Sequence, residues 1–278
     1  MGAAVLASAA AALLVLGAAR GAATADGQTD SLSVQLPPAA SDHIYGIPVA
    51  AGRPIVVIDA GHGGTDPGAI SVTRDISEKQ LTLALAHELR DVLVQRGRVR
   101  VAMTREDDRY LSLDDRAAVA RRLGAGLFVS LHMDSAPNPL ARGATVYSLS
   151  DVASDQEAAR FAAAENRGVA GDGDQQGSAR AMLSDLAMRD QMGASAAFAS
   201  RVVGRSAGRF ELRPEPHKFA AFHVLRRAGT AAVLFEAGYI SNVDDEQLLR
   251  NPEHRQAIVL ALAQAIEADI AARSRVQS

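Results

Sequence analysis

Four side chains able to bind a metal or move a proton stand where the chain's apolar runs end. His62 follows the run IVVIDA in IVVIDAGHGGTDPGAIS (55–71), His132 closes LFVSLH, Glu236 closes AAVLFE, and Glu78 lies one residue into the segment that opens at Ser77. Singly, each has an ordinary reading: an imidazole in a turn, or a glutamate complementing a helix dipole. Glu236 fits that reading least, because a carboxylate inside a Val-Leu-Phe run is expensive to bury unless a metal or a partner compensates. Jointly they form a donor set. Two imidazoles and one carboxylate (His62, His132 and Glu78) suit Zn2+ and leave a position open for water, whose pKa such an ion lowers to about 7. A further carboxylate beside that water is what a hydrolase needs to take its proton and return it to a leaving nitrogen, and Glu236 is assigned that role. Asp134, two residues after His132, is expected either as an additional ligand or, the preferred reading, as a carboxylate that orients an imidazole. His43, His87, His217, His223 and His254 are expected to be structural.

These assignments require elements that bring distant residues to one edge. Short β-branched runs alternating with helical patterns predict an α/β fold, a mostly parallel twisted sheet flanked by helices. The predicted strands are 55–59, 99–104, 127–132, 144–149 and 231–236. In an open α/β sheet ligands bind beyond the carboxyl ends of the strands, which is where His62, His132 and Glu236 fall. Between the first two strands, Leu81, Leu85, Leu89, Val92 and Leu93 recur at helical spacing. Ser77 and Gln80 form a capping box, so Glu78 faces the same edge from the helix's first turn. A second capped helix runs from Ser112 to Leu123, and a last one follows Pro252 to about Ala271. Glycines at 61, 63, 64 and 68 allow the sharp turn that aims the His62 ring at the edge. Residues 151–210, with a Gly-rich kink at 168–177, are read as a helical insertion before the last strand.

Bulk properties bound the remainder. A chain of 278 residues, 48% hydrophobic, supplies a full core, and a formal charge of -3 gives no basic field for nucleic acid. Residues 1–25, MGAAVLASAAAALLVLGAARGAATA, read as a signal peptide with Ala23-Thr24-Ala25 as the cleavage site, an uncleaved anchor being the alternative. A periplasmic or otherwise exported protein with no stable membrane span in its mature chain is therefore expected. Residues 26–53 are read as a linker and 54–278 as the catalytic domain. The chain has no cysteine, so no disulfide supports it outside the cytoplasm.

Five blocks in order, VVIDAGHGGTDPGA, SEKQLTLALA, MTREDDRYLSLDDRAAVA, LFVSLHMDSA and VLFEAGYISN, resemble the zinc-dependent N-acetylmuramoyl-L-alanine amidases, the cell-wall amidases of daughter-cell separation. The resemblance spans residues 54 to about 271. It implies zinc on His62, Glu78 and His132, a catalytic Glu236, and cleavage of the amide joining the lactyl group of N-acetylmuramic acid to L-alanine in peptidoglycan. Arg121 and Ala237 stand where family members often carry Asn and Thr. The insertion resembles a segment that, in division-associated members, lies over the zinc and is displaced by an activator protein with a degenerate peptidase-like domain. ARFAAAENRGVAGD (159–172) is similar to the part that supplies a blocking carboxylate, which here implies Glu165. A zinc carboxypeptidase or other wall metallopeptidase, and a non-catalytic wall-binding scaffold, are the alternatives left by the residues alone.

Overall fold

A computed structural model describes residues 41–167 and 179–276. The expected signal peptide, the kink at 168–177 and most of the expected linker lie outside the described residues. Seven strands form one sheet: β1 (Ile44–Tyr45), β2 (Ile55–Ala60), β3 (Arg100–Met103), β4 (Leu127–Asp134), β5 (Ala144–Leu149), β6 (Leu212–Ala220) and β7 (Ala232–Tyr239). Their order across the sheet is β1-β3-β2-β4-β7-β5-β6. The central strands β3, β2, β4 and β7 run parallel, as do β5 and β6, whereas β1 on β3 and β5 on β7 are antiparallel.

The sheet is larger than the sequence pattern predicts. Ile44–Tyr45, inside the expected linker, pairs with Val101 and Ala102 as an edge strand. The sequence pattern does not predict β6, because LRPEPHKFA carries Pro214 and Pro216, which no central strand tolerates. Its position at the sheet's edge, with a register irregularity between the Leu212 and His217 pairings, accommodates both prolines. The insertion therefore precedes β6 rather than leading directly into the last strand. It contains α3 (Gln156–Glu165) and α4 (Ala179–Ser206).

Helices cover both faces. α1 (Glu78–Arg96), α4 and α7 (Pro252–Val276) pack on the side of Val56, Ile58, Val129, Leu131, Val233 and Phe235. α2 (Leu113–Arg122), α3 and α5 (His223–Arg227) cover Val57, Phe128 and Leu234 on the other. The two-residue period of a strand continues this second face past the hydrophobic positions, through Ser130, His132 and Asp134 of β4 and Glu236 of β7. α6 (Val243–Arg250) completes the helices. The expected caps are present: Gln80 Oε1 accepts Ser77 N at 3.0 Å, and Ser112 Oγ accepts Asp115 N at 3.2 Å. α1 ends on Gly97 at φ 62°, as a left-handed cap requires. Among the described residues no helix is long and apolar enough to cross a membrane.

Candidate metal and catalytic site

The parallel register sets His132 of β4 beside Glu236 of β7. β2 runs on the other side of β4, and the chain leaving it turns at Gly61 and His62, where His62 adopts φ 58°. A side chain at positive φ costs about 1–3 kcal/mol and persists only where its surroundings impose it. α1 begins alongside, with Glu78 buried in its first turn. Four elements thus converge on one place.

Glu78 bridges the two imidazoles. Its Oε2 lies 3.0 Å from His62 Nε2 and its Oε1 3.1 Å from His132 Nδ1, while the carboxylate also accepts Ala69 N at 2.9 Å and Met133 N at 3.0 Å. His62 Nε2 is buried and, beyond the charged Glu78 oxygen at 3.0 Å, has no hydrogen-bond partner among the described residues. Glu165, at the end of α3, approaches His132 Nδ1 at 3.7 Å. Nitrogens of His62 and His132 and an oxygen of Glu165 all lie within 4.8 Å of one another. Glu236 is fully buried, and neither of its carboxylate oxygens finds a partner among the described residues.

The glycines leave room for these rings. A Cβ built on Gly61 would lie 2.5 Å from the His132 ring, and one on Gly68 would lie 2.5 Å from Glu78 Oε2 and 2.6 Å from His62. A cavity of about 690 Å³ opens beside them, lined by His62, Glu78, His132, Asp134, Phe161 and Glu165 among others. None of the other five histidines lines it. His217 bonds Ser148 at 2.8 Å, His87 meets Glu106 O at 3.1 Å, and His223 meets Asp114 at 3.1 Å.

The preferred expectation for Asp134 is not matched by its contacts. It lies on the same face as His132, but its carboxylate accepts Ser135 N at 2.7 Å and bonds no imidazole among the described residues. The carboxylate that orients a ring is Asp66, whose Oδ2 lies 2.8 Å from His62 Nδ1. Within TDPG, Asp66 reads as a turn former, and only the i,i+4 spacing to His62 hinted at the contact.

The charges fit a cation. Burial favours a neutral His62, but the Glu78 charge and the Asp66 hydrogen bond outweigh it and hold the imidazole up at about 10. Glu78 is kept below the usual carboxylate range despite burial, chiefly by His62 and His132. Burial, then the charges of Asp134, Glu78 and Glu165, push Glu236 well above that range. Asp134 is pushed up to about 6, by burial first. Crowded buried carboxylates, two imidazoles facing a shared carboxylate and glycine-made space are what a divalent ion with N and O ligands requires. Such an arrangement can perform metal-assisted hydrolysis, with a buried carboxyl group available to exchange protons.

Comparison with known proteins narrows that class. The family model described as N-acetylmuramoyl-L-alanine amidase matches residues 56–268, and the chain belongs to this family. It is similar to N-acetylmuramoyl-L-alanine amidase AmiA of Escherichia coli, at 34% identity over 222 residues, covering 78% of this chain and 76% of AmiA. It is 32% identical to AmiC of Neisseria meningitidis, covering 77% of this chain but only 52% of that protein. Among solved structures it resembles the catalytic domain of CwlV, an N-acetylmuramoyl-L-alanine amidase from Bacillus (Paenibacillus) polymyxa var. colistinus. That match has TM-score 0.59 and 28% identity and covers 77% of this chain and 97% of that one.

Proposed function

We propose that this chain is a zinc-dependent N-acetylmuramoyl-L-alanine amidase that acts outside the cytoplasm, cutting the amide between N-acetylmuramic acid and the L-alanine of the peptidoglycan stem. The observation that carries this reading is the convergence of His62, Glu78 and His132 beside the unpartnered carboxyl of Glu236 in a chain of that family. His62, His132 and Glu78 would hold the zinc. Bound there, the ion supplies Lewis-acid polarisation of the amide carbonyl and of the attacking water. Asp66 fixes the tautomer and direction of the His62 ring. Glu236 accepts the proton of the water and delivers it to the leaving nitrogen of L-alanine. Its buried position supports a carboxyl whose proton affinity suits both halves of that transfer.

Glu165 is assigned a blocking role. Its carboxylate approaches the same imidazole as Glu78, which supports a reading in which it takes a position that substrate needs. An activator protein of the degenerate-peptidase type that displaces α3 would free the site, in keeping with use during cell separation.

Digestion of purified peptidoglycan followed by mass spectrometry of the products tests the reaction. The expected products are intact stem peptides with a free L-alanine amino terminus. Cleavage within the stem would instead identify a metallopeptidase.

A further inference from the structure

The end of β2 and the turn carrying His62 present three successive carbonyls, those of Ala60, Gly61 and His62. Two buried guanidinium groups receive them. Arg116 Nη1 donates to Ala60 O at 2.6 Å and its Nη2 to His62 O at 2.6 Å. Arg105 Nε donates to Ala60 O at 2.9 Å and its Nη2 to Gly61 O at 2.8 Å. Thr82 Oγ1 adds a second donor to Gly61 O at 2.9 Å.

Each arginine is itself anchored. Arg116 pairs with Asp59 Oδ1 at 2.9 Å, and Asp59 is fixed in turn by Thr104 at 2.6 Å and Ser130 at 2.7 Å. Arg105 also donates to Lys79 O at 2.9 Å and Asp107 O at 3.1 Å, tying the turn to α1 and to the loop after β3. Arg105 is 0% and Arg116 3% exposed. Burying two cations against one carboxylate is a poor way to gain stability. What the forks do supply is direction: a planar guanidinium can bond two carbonyls at a fixed angle, which a lysine ammonium cannot. His62, at positive φ, needs such a constraint.

We propose that Arg116 and Arg105 are positioning residues, a paired clamp that imposes the strained backbone at His62 and so aims its Nε2 at the metal position. The clamp rests on the metal reading given above, and its proposed effect on metal binding runs through His62.

The test is zinc affinity of the purified apoprotein, read by competition with a chromophoric chelator, with circular dichroism as the control for folding. Arg116→Lys retains the charge and loses the fork. It is expected to stay folded and bind zinc about 10- to 100-fold more weakly, the range for losing a group that orients a ligand. In turnover, kcat is expected to fall while KM stays near the wild-type value. Arg105→Lys leaves the Asp59 pair intact and provides the same readout should Arg116→Lys not fold. In a His62→Ala background the lysine substitutions are expected to have no further effect on the residual affinity. Folded Lys variants with wild-type zinc affinity, or an equal loss in the His62→Ala background, would overturn the clamp. A wild-type protein that binds no zinc would defeat the metal reading itself.

Discussion

His62 is constrained at both ends of its side chain: Asp66 holds Nδ1 at 2.8 Å, and Gly68 leaves the space its ring fills. Removing the Asp66 carboxylate as Asp66→Ala should leave the fold intact and lower zinc affinity by about 10- to 100-fold in a chelator competition; unchanged affinity would show that the pair does not orient the ring. Gly61→Ala tests the space on the other side. Its Cβ would meet the His132 ring at 2.5 Å, so the ring must move, and a displacement near 1 Å is expected to lower kcat about 100-fold in a protein that still folds. Asp59 belongs to stability. Burial opposes its charge, but Arg116, Thr104 and Ser130 hold its carboxyl below the usual range. A depressed carboxyl stabilises fully above the unfolded value of about 3.9, and that contribution is lost as pH falls through the folded value. Asp59→Asn leaves Arg116 buried without its partner, a loss of about 3–5 kcal/mol near pH 7 in urea unfolding. The gap between variant and wild type should narrow as the pH drops below the folded pKa; a gap that is constant with pH would contradict the assignment. The two arginines were not legible as site residues, since a hydrogen bond to a backbone carbonyl leaves no spacing in a sequence, and Asp66 within TDPG reads first as a turn former.

At the scale of elements, the blocking role proposed for Glu165 depends on how α3 is attached. Lys218 on β6 reaches its first turn, bonding Glu157 at 2.8 Å and Asp155 at 3.0 Å, and Arg213 joins Glu157 at 3.0 Å. The Tyr239 hydroxyl accepts from Arg213 at 2.8 Å and lies 3.3 Å from Glu157. At the far end Asn166 accepts His223 N at 2.8 Å and donates to Ala221 O at 2.7 Å. The backbone N–H of Ala158, then Lys218, lowers Asp155; Glu157 is lowered against its burial by Lys218, and Lys218 is raised against its burial by both. The attachment is therefore present above the ordinary carboxylate range and fails as pH falls below about 4, or as it rises past the lysine value near 10. Hydrogen exchange over 156–165 at pH 7 and below pH 4 checks this, with faster exchange expected in acid beyond the intrinsic rate. Removal of 153–175, or Glu165→Ala, should raise basal wall hydrolysis several-fold over the intact chain; no gain would end the blocking role of Glu165. Glu165 could be singled out only through the family resemblance, because nothing in FAAAENR distinguishes it from a solvated helical glutamate.

Across the whole molecule, what the sequence made readable follows from which forces act locally. The central strands are continuous apolar runs buried on both faces, so β2, β4, β5 and β7 stand out, and the sheet's carboxyl edge then brings His62, Glu78, His132 and Glu236 together without further information. The edges did not stand out. β1 has two residues, too few for a period, and β6 carries two prolines that only an edge position tolerates. The register that sets Thr145 and His132 on either side of Glu236 is likewise a product of pairing, not of any local pattern. The central claim concerns the division of labour between three ligands and one proton carrier, and Glu236→Ala tests it most directly. Zinc content and release of L-alanine-terminated stem peptides are measured on the same purified sample. The expected result is one zinc per chain, as in the wild type, with hydrolysis reduced by at least about 100-fold, the scale of losing a general acid-base group. Undiminished hydrolysis, or loss of the zinc together with the activity, would contradict it.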